Sequence, residues 1–76
     1  MPTFFRFNGI KIELYYNDHS PPHFHAIYAE YEDLVEIESL EIYRGDLPRK
    51  QRKEVLAWAK QNQPILREIW NKLRAA

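Results

Sequence analysis

Apolar and polar residues alternate through the first half of the chain, which is the pattern of strands that bury one face. The alternation is most regular from Ile10 to Tyr16 and predicts a strand there. A shorter apolar run, Phe4 to Phe7, precedes it, and the Asn8-Gly9 pair between the two runs is a strong two-residue hairpin signal. The sequence therefore predicts a β-hairpin at the start of the chain. Its second strand would face the core with Ile10, Ile12, Leu14 and Tyr16.

A third strand is predicted from His23 to Ala29, and its two faces differ in character. Phe24 begins the bulkier set, which we assign to the core with Ala26 and Tyr28. The other set begins with His23 and His25, which would then point the same way from the open face of the sheet. Little burial is expected for either histidine on such a face.

Two more strands are predicted before the period of the pattern changes. Tyr31-Glu32-Asp33 is interpreted as a turn into a strand from Leu34 to Glu38, in which Val35 and Ile37 point inward. A turn near Ser39 leads to a shorter strand from Leu40 to Arg44. After this strand the apolar residues recur at the spacing of a helix.

Apolar residues recur at helical spacing from Pro48 onwards, and a proline in a first turn is an ordinary helix start. Pro64 is expected to end or kink this helix, and a second helix is predicted from Pro64 to the end of the chain. The fold class is therefore α+β: an antiparallel meander of four or five strands followed by two C-terminal helices packed on one face. We expect residues 1–76 to form a single domain.

Composition narrows the classes of protein that this chain could represent. It has no cysteine, which excludes disulfides and thiolate metal sites and favours a reducing cytoplasm. No apolar run approaches the roughly 20 residues of a membrane span, so no membrane association is expected. The formal net charge is zero, and overall charge therefore gives no indication of nucleic-acid binding.

All three histidines fall within residues 17–25, together with one aspartate and a Pro-Pro pair. Histidine titrates near neutral pH, so His19, His23 and His25 are candidate acid/base residues, with Asp18 or Glu13 as the orienting carboxylate. The two imidazoles spaced two apart on a strand could also bind a metal, but a catalytic zinc site needs three protein ligands. We predict no metal and no other cofactor. The structural alternative is that these histidines stabilise a turn.

A second candidate region lies at the predicted helix start, which carries Arg49, Lys50, Arg52 and Lys53. Cations there oppose the helix macrodipole by a few tenths of a kcal/mol each. They could bind an anion such as RNA, DNA or an acidic partner, or simply form a solvated face. Lys11 and Tyr15 are further candidate binding residues, because they share the predicted open face with the histidines.

The segment Tyr15-Tyr16-Asn17-Asp18-His19-Ser20-Pro21-Pro22-His23-Phe24-His25-Ala26 resembles a family of small bacterial domains of unknown function. The likeness also includes Gly9-Ile10 and Leu47-Pro48-Arg49, and so extends over nearly the whole chain. Members of that family are often encoded beside a second small domain and are regarded, from gene context, as the toxin-like half of a type II toxin–antitoxin pair. The resemblance implies a small protein partner encoded nearby. It carries no assigned catalytic residue.

Three functional hypotheses follow. The first is a toxin-like component of a bacterial type II toxin–antitoxin module, acting on RNA through the histidine-rich loop, with phosphates held at the basic helix start. The second is a non-catalytic protein-binding module. The third is a metal-dependent hydrolase.

Overall fold

The computed structural model describes residues 3–15, 19 and 21–75 of the chain. Five strands pair in sequence order, each antiparallel to the next, and one helix follows them. The predicted antiparallel meander is confirmed. The elements are β1 (Thr3–Phe7), β2 (Ile10–Leu14), β3 (His23–Tyr28), β4 (Tyr31–Glu36), β5 (Ile42–Gly45) and α1 (Arg49–Ala75).

The first hairpin forms where the sequence predicts it. Phe7 pairs with Ile10, and Asn8 and Gly9 form the two-residue loop with φ values of 50° and 78°. Both values lie in the left-handed region that a type I′ turn requires, and asparagine and glycine reach it most easily. Strand β2 ends at Leu14, and the prediction for Tyr16 lies outside the described residues.

The turn between β3 and β4 corrects the prediction at Tyr31-Glu32-Asp33. These three residues belong to β4, because the hairpin closes earlier, with Tyr28 paired to Tyr31. The loop is Ala29-Glu30, and Ala29 has a φ of 54°. This left-handed conformation costs an alanine about 1–2 kcal/mol and is therefore unusual for it. For that reason the Ala29-Glu30 pair gives no turn signal in the sequence.

The core lies between the inner face of the sheet and the helix. Most of the predicted inward residues of the strands are buried there with the apolar stripe of α1, Tyr28 is partly buried, and the helix packs chiefly on β2 and β3. Strands β2 and β4 therefore bury alternate residues, as the sequence predicts. The fully buried members include Ile12, Leu14, Phe24, Ala26, Val35, Ile37, Val55, Ala59 and Leu66.

The predicted pair of C-terminal helices is wrong, because one helix runs through Pro64, but the alternative that the helix is kinked near Pro64 is confirmed by a kink at Asn62. Asn62 has non-helical angles, φ −125° and ψ 15°, and its side-chain amide donates to the Trp58 carbonyl at 2.7 Å. Pro64 thus follows the kink closely and sits where the lack of an N–H costs little. Gln63 donates to the carbonyls of Ile37 and Glu38, at 2.9 and 3.1 Å, and ties the kink to the loop after β4.

A buried carboxylate joins the sheet to the start of this helix. Asp33, on the inner face of β4, accepts hydrogen bonds from the Leu47 backbone N–H at 3.0 Å and from Arg52 at 2.8 and 2.9 Å. Gly45 lies directly opposite Asp33, so close that a Cβ there would be 2.0 Å from Asp33 Oδ1. In the described part of the chain, no helix is both long and apolar enough to cross a bilayer.

Candidate functional site

The sheet face away from the helix carries a row of ionisable and aromatic side chains. Glu13 of β2 is the register partner of His25 of β3, His25 is the partner of Leu34, and Leu34 is the partner of Arg44. Because side chains of paired residues share a face, these four residues cross the sheet in one line. We call this surface the open face.

His25 is fixed on the open face by a carboxylate of the neighbouring strand. Its Nδ1 lies 2.8 Å from the Oε2 atom of Glu32, and the side chains of His25 and Glu32 are 15% and 49% exposed. An ionised carboxylate can only accept, so the proton of the neutral ring is on Nδ1 and Nε2 is the acceptor nitrogen. Glu32 thus orients His25; of the two expected carboxylates, Glu13 contacts Tyr15 and Lys11, and Asp18 lies outside the described residues.

His23 is held in the same tautomer by the backbone. Its Nδ1 lies 2.8 Å from the Pro21 carbonyl, which can only accept, so Nδ1 again carries the proton. The two imidazole rings are 5.3 Å apart between centroids. The two histidines therefore stand side by side, each with its Nδ1 atom held by an acceptor.

The expectation that His23 is little buried is wrong. Only 7% of its surface is exposed, because the ring packs 5.4 Å from Trp70 of the helix and 5.8 Å from Tyr43 of β5. Tyr43 is the extra residue of a bulge in β5, where Leu34 pairs with Arg44 and Val35 pairs with Ile42. The bulge thus places an exposed aromatic ring beside His23.

Tyr15 and Lys11 belong to the same cluster as the histidines. The Tyr15 hydroxyl donates to one oxygen of Glu13, and Lys11 Nζ lies 3.6 Å from the other. The Tyr15 ring meets the His25 ring edge-on, with centroids 4.7 Å apart. A cation, a carboxylate, a phenol and two imidazoles are therefore linked along one surface.

The loop before β3 is described only in part. His19 is exposed there, between β2 and the proline pair. Asp18, the fourth candidate catalytic residue, lies outside the described residues.

The four basic residues at the helix start lie in two different environments. Arg49, Lys50 and Lys53 are exposed, on the helix side of the sheet. Arg52 is instead bound to Asp33, whose side chain is only 1% exposed, and this hydrogen bonding raises the pKa of Arg52. Arg52 is therefore a partly exposed cation that is already paired with a buried carboxylate, unlike the other three.

Two concavities flank the histidine cluster on the open face. One, of about 630 Å³, is lined by His25, Arg44 and the acidic residues Glu30, Glu32 and Asp46. The other, of about 440 Å³, lies at the β1–β2 end and is lined by a cationic pair and by apolar side chains. That pair, Arg6 and Lys11, is formed by register partners.

Several residues of this cluster are absent from the sequence-based site. Glu32 reaches His25 only because the β3–β4 loop closes at Ala29-Glu30, a turn with no glycine signal. Trp70 reaches His23 through the packing of a helix more than forty residues later in the chain. Across residues 3–15, 19 and 21–75, no three His, Asp or Glu side chains are grouped as a metal site would require.

Comparison with known proteins gives a family for the chain. The family model described as Domain of unknown function (DUF4160) matches residues 9–71, which include all of β2 to β5 and most of the helix. No curated protein and no solved structure matches the chain.

Proposed function

This chain belongs to the family Domain of unknown function (DUF4160), and we propose that it is the toxin-like component of a bacterial type II toxin–antitoxin module that cleaves RNA at the open face. A small antitoxin-like protein encoded nearby would hold it inactive. The resemblance of the segment from Tyr15 to Ala26 to such toxin-like domains motivates the class, and the geometry of the open face motivates the chemistry.

One observation carries the chemical part of the proposal. His23 and His25 lie 5.3 Å apart, each with Nδ1 bound to a fixed acceptor, Pro21 or Glu32. Imidazoles held in one tautomer and orientation are suited to proton transfer at neutral pH. A pair of them can supply both an acid and a base to one reaction.

Cleavage of an RNA phosphodiester needs those two proton transfers. The 2′-oxygen attacks the phosphorus and loses its proton to a base, while the 5′-oxygen leaves and takes a proton from an acid. We assign the base role to His25 and the acid role to His23. The products are a 2′,3′-cyclic phosphate and a 5′-hydroxyl, and this step consumes no water.

The cations of the open face suit the substrate's charge. Lys11 lies one strand from His25 and shares the smaller concavity with Arg6. Two cations opposite each other in a sheet are destabilising, which a bound phosphate would relieve. The exposed Arg49, Lys50 and Lys53 lie on the other side of the sheet, where they suit an acidic partner protein.

The test is expression of the chain alone in a bacterium, with and without the product of the neighbouring gene. Wild type should arrest growth, the neighbour should relieve the arrest, and His25→Gln should abolish it. Lys60→Gln, an exposed helix variant, is the matched control and should remain toxic. Loss of the arrest in both variants, or growth unaffected by wild type, would reject the proposal.

A second candidate, a non-catalytic protein-binding module, is favoured by the larger concavity. Its lining includes Glu30, Glu32 and Asp46 against a single Arg44, which suits a basic peptide better than RNA. This candidate predicts that Glu30→Gln weakens partner binding while wild type leaves RNA intact. The purified chain incubated with single-stranded RNA distinguishes the two.

A further inference from the structure

The two edges of the sheet differ in their readiness to accept another strand. Strand β5 is short and bulged, and Gly45 ends it, features that blunt an edge. Strand β1 is a regular five-residue strand that pairs with β2 along its whole length. No described strand pairs with its outer side, and the helix packs mainly on β2 and β3.

The hairpin geometry fixes which backbone groups β1 presents outward. In a two-residue hairpin the residues next to the loop, Phe7 and Ile10, form a hydrogen-bonded pair. Hydrogen-bonded and non-hydrogen-bonded pairs then alternate, so Phe5 bonds to β2 and its neighbours do not. The N–H and C=O groups of Phe4 and Arg6 therefore point away from the sheet.

The side chains at these same positions complement each other. Phe4 is 47% exposed on the open face, and the Arg6 guanidinium carbon lies 5.1 Å from the Phe4 ring centroid. A guanidinium above an aromatic face is an attractive arrangement within one strand. The same attraction is available between two strands that place Phe4 of one opposite Arg6 of the other.

We propose that β1 pairs antiparallel with β1 of a second copy of this chain, about a two-fold axis at Phe5, to form a continuous ten-stranded sheet. This register puts Phe4 opposite Arg6 of the second copy, and Arg6 opposite its Phe4. All the outward backbone groups of these residues then form hydrogen bonds, and both cation–π pairs form.

Registers shifted by one residue or centred on Arg6 fail on physical grounds. A shift of one residue would pair inner-face with open-face side chains, because the side-chain period of a strand is two. A two-fold axis at Arg6 would set two guanidinium groups directly opposite each other, which is repulsive. The register centred on Phe5 matches the outward backbone groups and the side chains together.

The test compares Phe4→Lys with Phe4→Glu by sedimentation, from micromolar concentrations to the solubility limit. Both variants remove the ring, but the first places lysine opposite Arg6 of the second copy and the second places glutamate there. We expect a wild-type dimer, and a dimerisation constant on the order of tenfold stronger for Phe4→Glu than for Phe4→Lys. The double variant Phe4→Lys/Arg6→Glu should recover the loss.

Monomer stability provides an internal control, because Phe4 is the β2 register partner of Glu13. Within one copy, Phe4→Lys is favourable and Phe4→Glu is unfavourable, which is the opposite order to dimerisation. Thermal unfolding at low protein concentration reports this order and shows that both variants fold. A wild type that is monomeric at every concentration, or equal dimerisation of both variants, would overturn the proposal.

Discussion

Arg52 donates two hydrogen bonds, at 2.8 and 2.9 Å, to the buried carboxylate of Asp33, nineteen positions earlier in the chain. The same carboxylate accepts the N–H of Leu47, so one side chain joins β4, the β5–α1 loop and the first turn of the helix. These contacts explain why an arginine occupies the first turn of the helix, where the helix dipole alone would disfavour a cation.

Arg52→Gln should therefore destabilise the protein, because it leaves a buried carboxylate without its charged partner. We expect a loss of about 2–3 kcal/mol in the free energy of unfolding, below the full range for buried pairs since Arg52 is partly exposed. Lys53→Gln, the adjacent exposed cation, should change it by less than about 0.5 kcal/mol. Chemical denaturation measures both, and equal effects would contradict the assignment.

Gly45 should tolerate substitution less well than Gly9. A Cβ at Gly45 would lie 2.6 Å from the Asp33 backbone Cα, which cannot move aside cheaply, whereas a Cβ at Gly9 would meet only the Tyr28 ring at 3.3 Å. Gly45→Ala should cost more than about 2 kcal/mol, and Gly9→Ala about 1 kcal/mol for its left-handed backbone. Urea midpoints of the two variants would rank them, and the reverse order would refute this reading of the β4–β5 contact.

The Glu38–Arg67 pair predicts a pH dependence with a definite sign. Hydrogen bonding to Arg67 lowers the pKa of Glu38 in the folded protein, so the pair stabilises the fold above the ordinary glutamate pKa. That contribution is lost as the pH falls through the lowered pKa of Glu38. The melting temperature of Arg67→Gln should thus fall below wild type at neutral pH and converge with it in acid. Lys60→Gln should show no such convergence.

His23 and His25 should differ in what they contribute to stability. His23 is buried against Trp70 and Tyr43, so His23→Ala opens a void and should cost about 1–3 kcal/mol. His25 is bound to the half-exposed Glu32, and His25→Ala should cost less than about 1 kcal/mol. Similar melting temperatures for the two variants would show that Trp70 does not support His23.

Local signals predicted much of this fold. Alternation identified the strands and their buried faces, and Asn8-Gly9 identified the first hairpin. The β3–β4 turn was missed because Ala29 adopts a left-handed conformation without a glycine. The two-helix prediction failed because the break at Asn62 is a kink of one residue, after which the helix continues past Pro64.

The site was predictable only in part, for a related reason. His23 and His25 could be placed on one strand and one face from their spacing, with Lys11 and Tyr15 nearby. Their partners come from elsewhere: Glu32 depends on the β3–β4 register and Trp70 on the path of the helix. Likewise, the pairing of Arg52 with Asp33 is a tertiary contact that the charge pattern does not reveal.

The rate of RNA cleavage by the purified chain in the presence of EDTA tests the central claim most directly. We predict cleavage of single-stranded RNA to 2′,3′-cyclic phosphate ends, reduced about 10²–10⁴-fold in His25→Gln because proton transfer is lost. The positioning variant Glu32→Gln should retain an intermediate rate with a shifted pH profile, and Lys60→Gln should match wild type. Intact RNA with the folded wild type, or cleavage unchanged in folded His25→Gln, would contradict the account.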